Sequence, residues 1–297
     1  MPATRVTASE LRDLHRQARR LDALAGGAVA SLFPSAWRAR LRGRGMEFEE
    51  VRPYLWGDDF RTIDWRVTAR TGEMHTRLYH EERERTLWLV CDAGPSMQFG
   101  TRNCFKWVRA AQAAALFAWL AHDAEDRVGA VVHGDGRRCH FLPPGGGEAG
   151  LMRLFNLLAA VGARPGEPRS TLADAAAHLR RLARPGSLVL FVGDFRTLDR
   201  EAERHLARLA GHGELAAIHL HDPLERTPPP AGLYPLEDGE GCSGWLDTAS
   251  PALRRRWEEN FEARCKAVAD RFARLGARTL LLGTHEPLVD GLREQLR

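Results

Sequence analysis

The sequence Thr86-Leu87-Trp88-Leu89-Val90-Cys91-Asp92-Ala93-Gly94-Pro95-Ser96-Met97 gives the strongest indication of the fold. An apolar run ends in an aspartate, small residues follow, and a long apolar-periodic segment then covers residues 104–122. A buried strand that leads into a helix in this way is typical of a parallel α/β sheet. The turn after such a strand lies at the carboxyl end of the sheet, where these folds place their ligands.

Two oxygen-bearing side chains lie four residues apart in this turn, those of Asp92 and Ser96. Their oxygens can converge on one hard cation. Alternatively, Asp92 caps the turn and Ser96 caps the following helix, as such residues commonly do. The turn sequence by itself leaves both interpretations open.

Length and composition are those of an ordinary globular protein. The 297 residues are 44% hydrophobic and 28% charged, enough for one large domain or for one medium domain with an appendage. The formal net charge of +4 is only mildly basic. Without a clustered basic face, this charge does not predict nucleic-acid binding.

Cysteine usage and hydropathy indicate the compartment. Five scattered cysteines without a CxxC pair fit a reducing environment and offer no zinc motif. The first twenty residues are polar and charged, so they do not resemble a signal peptide. No segment approaches the roughly 18 uncharged apolar residues of a membrane span. We therefore expect a cytoplasmic protein.

Strand and helix patterns alternate along the rest of the chain. Strands are predicted at residues 126–133, 139–142, 187–194, 214–221 and 278–282, and helices at residues 104–122, 148–161, 171–183, 199–210, 251–275 and 286–296. Residues 223–245 form a proline- and glycine-rich excursion with short strands. This alternation predicts a mostly parallel sheet with helices on both faces.

The N-terminal segment 9–25 is predicted to be an amphipathic helix. Its apolar face carries Leu11, Leu14, Ala18 and Leu21, and then Leu24 or Ala25. Arginines cover much of the remaining surface, namely Arg12, Arg16, Arg19 and Arg20. The simpler interpretation is a packed helix with a solvated basic face. The alternative is a helix that binds an anionic membrane surface.

Residues 43–70 form a block without periodicity that is rich in arginine, aspartate, glycine and aromatic residues. Four arginines (Arg52, Arg61, Arg66 and Arg70) can pair with four acids (Glu47, Asp58, Asp59 and Asp64). Paired carboxylates can also serve catalysis. Because so many arginines are near, we predict a structural network of ion pairs that docks the N-terminal region onto the sheet.

Several motifs together resemble the DUF58 family, whose proteins contain a domain similar to von Willebrand factor A. The resemblance is carried by the run Gly57-Asp58-Asp59-Phe60-Arg61-Thr62-Ile63-Asp64-Trp65-Arg66, by Glu81-Glu82-Arg83-Glu84, by the turn after Asp92, and by Asp222-Pro223-Leu224-Glu225. It implies an N-terminal signature region over residues 1–85. A von Willebrand factor A-like domain then covers residues 86–297, with an insertion near residues 223–247.

The resemblance also implies a metal site. Von Willebrand-type domains hold a divalent cation through an Asp-x-Ser-x-Ser turn, a threonine and a distant aspartate. Asp92 and Ser96 match the turn, and Thr171 and Asp194 fall where the other two ligands are expected. The ion would be Mg²⁺ before Mn²⁺ or Ca²⁺. Gly94 replaces the middle serine, which removes one hydroxyl ligand.

In such domains a carboxylate from a partner protein typically completes the coordination of the metal, so no bond is made or broken. The resemblance therefore implies a non-enzymatic interaction module whose partner presents an acidic loop. DUF58 relatives are often encoded beside MoxR-type AAA+ ATPases, which makes such an ATPase the expected partner. Many relatives carry transmembrane helices before the signature block, whereas this chain resembles a soluble branch.

Enzymatic alternatives match the residues less well. A phosphotransferase of the haloacid dehalogenase type needs an acid at Gly94 and a lysine near the second acidic strand end, and only Lys106 and Lys266 are present. A metal nuclease needs more acids than Asp135 and Asp174 would add.

Three further side chains have simpler explanations than catalysis or metal binding. Cys91 lies inside an apolar strand with no evident base. We expect His219 and His221 to be hydrogen-bonded histidines, not metal ligands.

Overall fold

The computed structural model describes residues 2–25, 32–33, 51–55, 60, 63–77, 85–135, 138–161, 170–237 and 243–296. Much of the predicted ion-pair network lies outside these residues, namely Glu47, Asp58, Asp59 and Arg61. The acidic run at residues 81–84 lies outside them as well.

The secondary structure alternates as the sequence predicts. The strands are β1 Val51–Pro53, β2 His75–Arg77, β3 Thr86–Asp92, β4 Arg127–His133, β5 His140–Gly145, β6 Leu188–Gly193, β7 Glu214–His221, β8 Leu233–Glu237, β9 Ser243–Asp247 and β10 Arg278–Gly283. The helices are α1 Ala8–Asp13, α2 His15–Ala25, α3 Trp65–Thr71, α4 Lys106–Asp123, α5 Gly147–Ala160, α6 Leu172–Leu179, α7 Arg200–Ala210, α8 Pro223–Arg226, α9 Pro251–Ala273 and α10 Leu288–Leu296.

A six-stranded sheet forms the centre of the molecule, in the order β10-β7-β6-β3-β4-β5. Neighbouring strands are parallel except at one edge, where β5 pairs antiparallel to β4. Counted along the chain within the sheet, this is the doubly wound order 3-2-1-4-5-6. The prediction of a von Willebrand factor A-like, mostly parallel α/β fold is confirmed.

Helices cover both faces of the sheet because strands are added in two directions from β3. The chain first forms β4 and β5 on one side of β3, and then forms β6, β7 and β10 on its other side. Alternate residues of β3 point to opposite faces, so Leu87 and Leu89 join one core while Trp88 and Val90 join the other. The first core contains residues of α1, α2, α4, α5 and α10. The second core contains residues of α6, α7 and α9.

Helix α4 is buried almost all round, and this determines how the N-terminal helices pack. Its buried residues include the alanines Ala110, Ala111, Ala113, Ala114, Ala115, Ala118 and Ala121. Small side chains permit close approach on every face, as expected of a helix that is apolar all round. The sheet covers one side of α4, and α1 and α2 contribute to the same core.

The N-terminal helices α1 and α2 are fixed to the end of α4 by polar contacts as well. The indole Nε1 of Trp119 donates to the carbonyl oxygen of Leu11 at 3.2 Å, and His15 stacks on the same indole. Asp123 pairs with His15 at 2.8 Å and with Arg19 at 3.2 Å. The apolar face of this segment is therefore covered by protein, and its arginines remain exposed.

No helix among the described residues is long and apolar enough to span a bilayer. The predicted apolar face of the N-terminal segment is confirmed at Leu11, Leu14, Ala18 and Leu21, whereas Leu24 is 38% exposed. One feature differs from the prediction, since the segment is two helices that meet at Leu14.

Strand β5 forms one edge of the sheet and contains consecutive prolines, Pro143 and Pro144. The register to β4 shifts between Val128 and Ala130, beside these prolines. Strand β5 pairs antiparallel with β4 and extends three residues beyond the predicted end at Leu142.

Two buried histidines lie on β7. His219 is in edge contact with Phe195, and His221 packs against Phe261 at 5.2 Å between ring centroids. The prediction of hydrogen-bonded histidines is wrong for His221, since neither of its ring nitrogens has a hydrogen-bond partner among the described residues. Apolar burial replaces the expected hydrogen bonds at this position.

Stability should decrease on mild acidification because of these histidines. Burial is the main cause that lowers the pKa of His219 and of His221 from 6.5 to about 4. The unfolded chain therefore takes up protons at these sites between pH 6.5 and about 4 while the folded chain does not. We expect the free energy of unfolding, measured by urea denaturation, to fall as the pH decreases through this range.

A His221→Leu variant should lose less stability across the same pH range, since one of the two groups no longer titrates. His178→Gln, at an exposed histidine, is the control and should keep the pH dependence of the native protein. Equal pH dependence in the native protein and His221→Leu would contradict the assignment.

Candidate functional site

The carboxyl ends of the parallel strands all lie at the same end of the sheet, and we call this end the rim. Polar residues end or follow four of these strands: Asp92 on β3, His133 on β4, Asp194 after β6 and Asp222 after β7. All four are buried. The chain reverses its winding direction between β3 and β6, and doubly wound folds bind ligands at this point.

Asp92 is turned back onto its own turn. Its Oδ1 accepts a hydrogen bond from the backbone N–H of Gly94 at 2.7 Å and lies 3.9 Å from Nδ1 of His133. Burial raises the pKa of Asp92 above its ordinary value, although His133 acts in the opposite direction. The interpretation of Asp92 as a turn cap is therefore observed.

Glycines allow the backbones at the rim to approach Asp92 closely. A Cβ atom at Gly134, where φ is +89°, would lie 2.7 Å from the backbone nitrogen of Gly94. A Cβ atom at Gly193 would lie 2.8 Å from Cβ of Asp92. At Gly94 a Cβ atom would be 3.0 Å from Oδ1 of Asp92, so a serine would fit there only after a local shift.

Asp194 is held by a residue that the sequence interpretation did not place here. The ammonium Nζ of Lys106, the first residue of α4, donates to Oδ2 of Asp194 at 2.8 Å. Lys106 is 0% exposed. Burial alone would raise the pKa of Asp194, but Lys106, Ser96 and the backbone N–H of Arg196 together hold that pKa below its ordinary value.

Glu225 and Arg196 complete the cluster around this lysine. Nζ of Lys106 donates to Oε1 of Glu225 at 2.9 Å. Nη2 of Arg196 donates to the same oxygen at 2.9 Å, and its Nε lies 3.4 Å from Oδ2 of Asp194. We call these four residues the Lys106 cluster.

Ser96 reaches the same carboxylate as Lys106. Its hydroxyl group is close enough to Asp194 to contribute to the lowered pKa of that carboxyl group. It does not cap the following helix, because α4 begins after Phe105. Asp92, Ser96 and Asp194 thus share one neighbourhood, with Asp92 close enough to Asp194 for like-charge repulsion.

Thr171 serves its own helix. Its hydroxyl donates to Oδ2 of Asp174 at 3.0 Å and accepts from the backbone N–H of Asp174 at 3.3 Å, which is a capping box at the start of α6. The neighbouring Ser170 is buried and contacts the end of β4, where its Oγ accepts from the N–H of Gly134 at 3.0 Å.

A small cavity of about 10 Å³ adjoins Asp92 and His133, with apolar walls that include Leu172 and Phe191. Its size is that of one water molecule. Burial lowers the pKa of His133, and its Nδ1 has no hydrogen-bond partner in the described part of the chain. The space is too small for a substrate.

Mg²⁺ takes six oxygen ligands, one or two of them usually from carboxylates and several from water. Of the four predicted ligands, Asp194 is bound to an ammonium group and the hydroxyl of Thr171 to Asp174. Within the described ranges, no group of three or more His, Cys, Asp or Glu residues is placed to hold a metal ion. The residues present therefore fit a divalent cation poorly.

The Asp222-Pro223-Leu224-Glu225 motif is a second anchor of the rim. The carboxylate of Asp222 accepts from the hydroxyls of Thr101 at 2.5 Å and of Thr284 at 2.7 Å. Asp222 and Glu225 form the capping box of α8, which also holds Glu225 towards Lys106. The motif thus connects the segment after β7 with the loops that contain Thr101 and Thr284.

Comparisons with known proteins give a family and several mycobacterial relatives. The family described as "Protein of unknown function DUF58" matches residues 50–267. An uncharacterised protein of Mycobacterium tuberculosis, Rv1480, is 32% identical over 266 residues, which are 90% of this chain and 81% of that protein. The uncharacterised protein Mb1516 of Mycobacterium bovis shows the same identity and coverage.

Solved structures resemble the chain more weakly. The conserved hypothetical protein BatB from Bacteroides thetaiotaomicron is 13% identical with a TM-score of 0.46, over 71% of this chain and 97% of that one. A von Willebrand factor type A protein from Catenulispora acidiphila is 12% identical with a TM-score of 0.39, over 75% of this chain and 43% of that one.

The close approach at the rim can be tested with a matched pair of glycines. Gly134 and Gly72 both have positive φ, but a Cβ atom at Gly72 would have no atom within 4 Å. Gly72→Ala should destabilise by about 1–2 kcal/mol through backbone strain alone. Gly134→Ala should lose about 1–3 kcal/mol more through overpacking, measured by chemical denaturation. Equal losses would contradict the steric interpretation of the rim.

Proposed function

The chain belongs to the DUF58 family, and from this membership we propose that it is a non-enzymatic protein–protein interaction module. The proposed partner is a MoxR-type AAA+ ATPase, for which the chain acts as an adaptor. The contact surface is formed by residues of the signature block, which we call the block surface: Leu55, Phe60, Trp65 and Met74.

One observation carries this proposal, namely that the large apolar side chains of the block surface lie in solvent. Phe60 and Trp65 are each 67% exposed, and Leu55 and Met74 are also largely exposed. Isolated exposed apolar residues are common, but several within one short unit mark an interaction site. Tryptophan is also among the residues that contribute most to binding energy at protein interfaces.

Backbone and capping hydrogen bonds join parts of the unit that presents these side chains. Strands β1 and β2 pair antiparallel, and the N–H of Asp64 donates to the carbonyl oxygen of His75 at 2.8 Å. The buried carboxylate of Asp64 caps α3, because Oδ1 accepts from the N–H groups of Arg66 at 3.0 Å and Val67 at 3.2 Å. Trp65 is thus held on the first turn of a capped helix.

The rim supports a role without catalysis. Asp92, Lys106 and Asp194 are all buried and engaged in contacts within the protein. Burial raises the pKa of Cys91 to about 12, so this thiol is not a nucleophile at neutral pH. A nucleophile or general base must be able to reach a substrate. These side chains are placed to stabilise the fold.

The choice of partner follows from the family resemblance. An ATPase encoded beside relatives of this chain is the natural first candidate for a protein that offers a binding surface. The proposed contact at the block surface does not require the metal-mediated contact with an acidic partner loop that the resemblance implies.

Trp65→Ala should weaken binding to the MoxR-type ATPase by a factor of about 30 or more, which is the usual effect of a dominant interface residue. The melting temperature should be nearly unchanged, because the side chain is exposed. Calorimetric titration of the full-length protein with the purified ATPase measures the affinity.

Two control variants separate the loss of a binding contact from a loss of stability and from the loss of any exposed tryptophan. Asp64→Ala removes a helix cap and should destabilise the fold by about 1 kcal/mol. Trp245→Ala removes a tryptophan that is 70% exposed on the β8–β9 hairpin and should leave the affinity unchanged. Unchanged affinity in Trp65→Ala, or a loss confined to Trp245→Ala, would overturn the assignment of the surface.

A further inference from the structure

The Lys106 cluster has an unusual composition for this chain. Of the 43 basic residues only two are lysines, and all others are arginines. Lys266 has 76% of its side chain exposed and pairs with Asp270 on the surface of α9. Lys106 is fully buried. One of the two lysines therefore lies where the fold places its ligand site.

The chemistry of the two basic side chains explains this choice. Arginine presents a broad planar fork, whereas lysine presents a compact point charge on a flexible stem. The Lys106 ammonium contacts one oxygen of Asp194 and one of Glu225, at 2.8 and 2.9 Å. A compact charge surrounded by carboxylate oxygens is the arrangement that a small metal ion would otherwise provide.

We propose that the Lys106 ammonium is the resident cation of the rim and takes the place of a divalent metal ion. A second cation reinforces it from the solvent side, since Arg196 contacts the same two carboxylates and has 53% of its side chain exposed. With both carboxylates neutralised, a divalent ion at this position would be repelled by two positive charges. This inference does not depend on the proposed ATPase partner.

The presence of only two lysines gives a direct test on the native protein. The ammonium groups are observed by NMR after ¹⁵N labelling of lysine, and Lys266→Met identifies the signal of each residue. Mn²⁺ is paramagnetic and broadens the signals of nuclei close to where it binds. We expect the Lys106 signal to keep its intensity as millimolar Mn²⁺ is added. Selective loss of that signal would overturn the proposal.

Two further measurements complete the test. Calorimetric titration with Mg²⁺ should show no saturable heat, and saturable binding that Asp92→Ala abolishes would contradict a resident ammonium. An amine-acylating reagent should modify Lys266 in the folded protein and Lys106 only after denaturation, as read by mass spectrometry. Equal rates of modification in the folded protein would show that Lys106 is not enclosed.

A separate observation concerns the end of the sheet opposite the rim, at the amino ends of β6 and β7. A cavity of about 190 Å³ opens there between α6 and α7. Three arginines line it, namely Arg180, Arg184 and Arg208, together with His212. Its floor is apolar, with Val189 and Leu209. We call it the arginine cavity.

No carboxylate lines this cavity, and none of the three arginines forms an ion pair within the described part of the chain. Arg180 and Arg184 both line the cavity just after α6 ends at Leu179, so two like charges share one space. The C-terminal end of a helix favours a nearby cation. Arg180 and Arg208 lie at the C-terminal ends of α6 and α7, so their positions are explained in this way, whereas that of Arg184 is not. The cavity therefore carries uncompensated positive charge.

We infer that the arginine cavity binds a small organic anion. Its phosphate or carboxylate group would contact the guanidinium groups, which suit both chemistries, and its apolar part would contact Val189 and Leu209. A volume of about 190 Å³ admits a ligand the size of a single aromatic ring with one charged group. Separate probes in the test below distinguish a phosphate ligand from a carboxylate ligand.

The probes are phenyl phosphate, benzoate and inorganic phosphate, titrated into the full-length protein by calorimetry at constant ionic strength. We expect one or both aromatic anions to bind more tightly than inorganic phosphate. Arg184→Gln should weaken that binding about tenfold, as expected for the loss of a hydrogen bond to a charged group. Arg204→Gln, at an exposed arginine of the same region outside the lining, is the control. No binding by the native protein, or equal losses in the two variants, would overturn the inference.

Discussion

A single buried ammonium group joins the parts of the chain on which the rim depends. Lys106 begins α4, Asp194 follows β6 and Glu225 lies on α8, so one cation connects three segments that are distant in sequence. Removing three charged groups from water is unfavourable unless all of them pair. Losing one partner of such a cluster typically destabilises a protein by about 3–5 kcal/mol. Asp222 caps α8, and its hydrogen bonds to Thr101 and Thr284 fix the adjoining loops.

The architecture was predictable because it depends on periodicity. The buried run that ends at Asp92, the apolar-periodic helix after it and the regular alternation downstream are local patterns. Their order along the chain leaves few topologies, since parallel strands need right-handed crossovers. The apolar face with Leu11 and Leu21 was likewise evident from helical spacing. Element boundaries were less certain, and the helix predicted to reach residue 183 ends at Leu179.

The contacts of the site were less predictable because they join residues through space. Nothing in the sequence shows that Lys106 reaches Asp194, 88 residues away, and its rarity as a lysine was the only signal that could have suggested it. Thr171 matches a ligand position, yet its hydroxyl is as well suited to a helix cap, which is where it is found. Trp65 lies in a motif without periodicity, so the sequence gives no indication that its side chain is exposed.

The consecutive prolines of β5 limit how the protein can assemble with others. Every open sheet has two edges at which a foreign strand can add by backbone hydrogen bonds, and this is a common route to unwanted polymers. Pro143 and Pro144 lack the N–H groups that such pairing needs, and the shifted register beside them interrupts the ladder further. Growth by strand addition is therefore blocked along this edge. Any partner that approaches from this side must therefore recognise side chains. Contacts with side chains depend on their identity, whereas backbone pairing is largely independent of sequence.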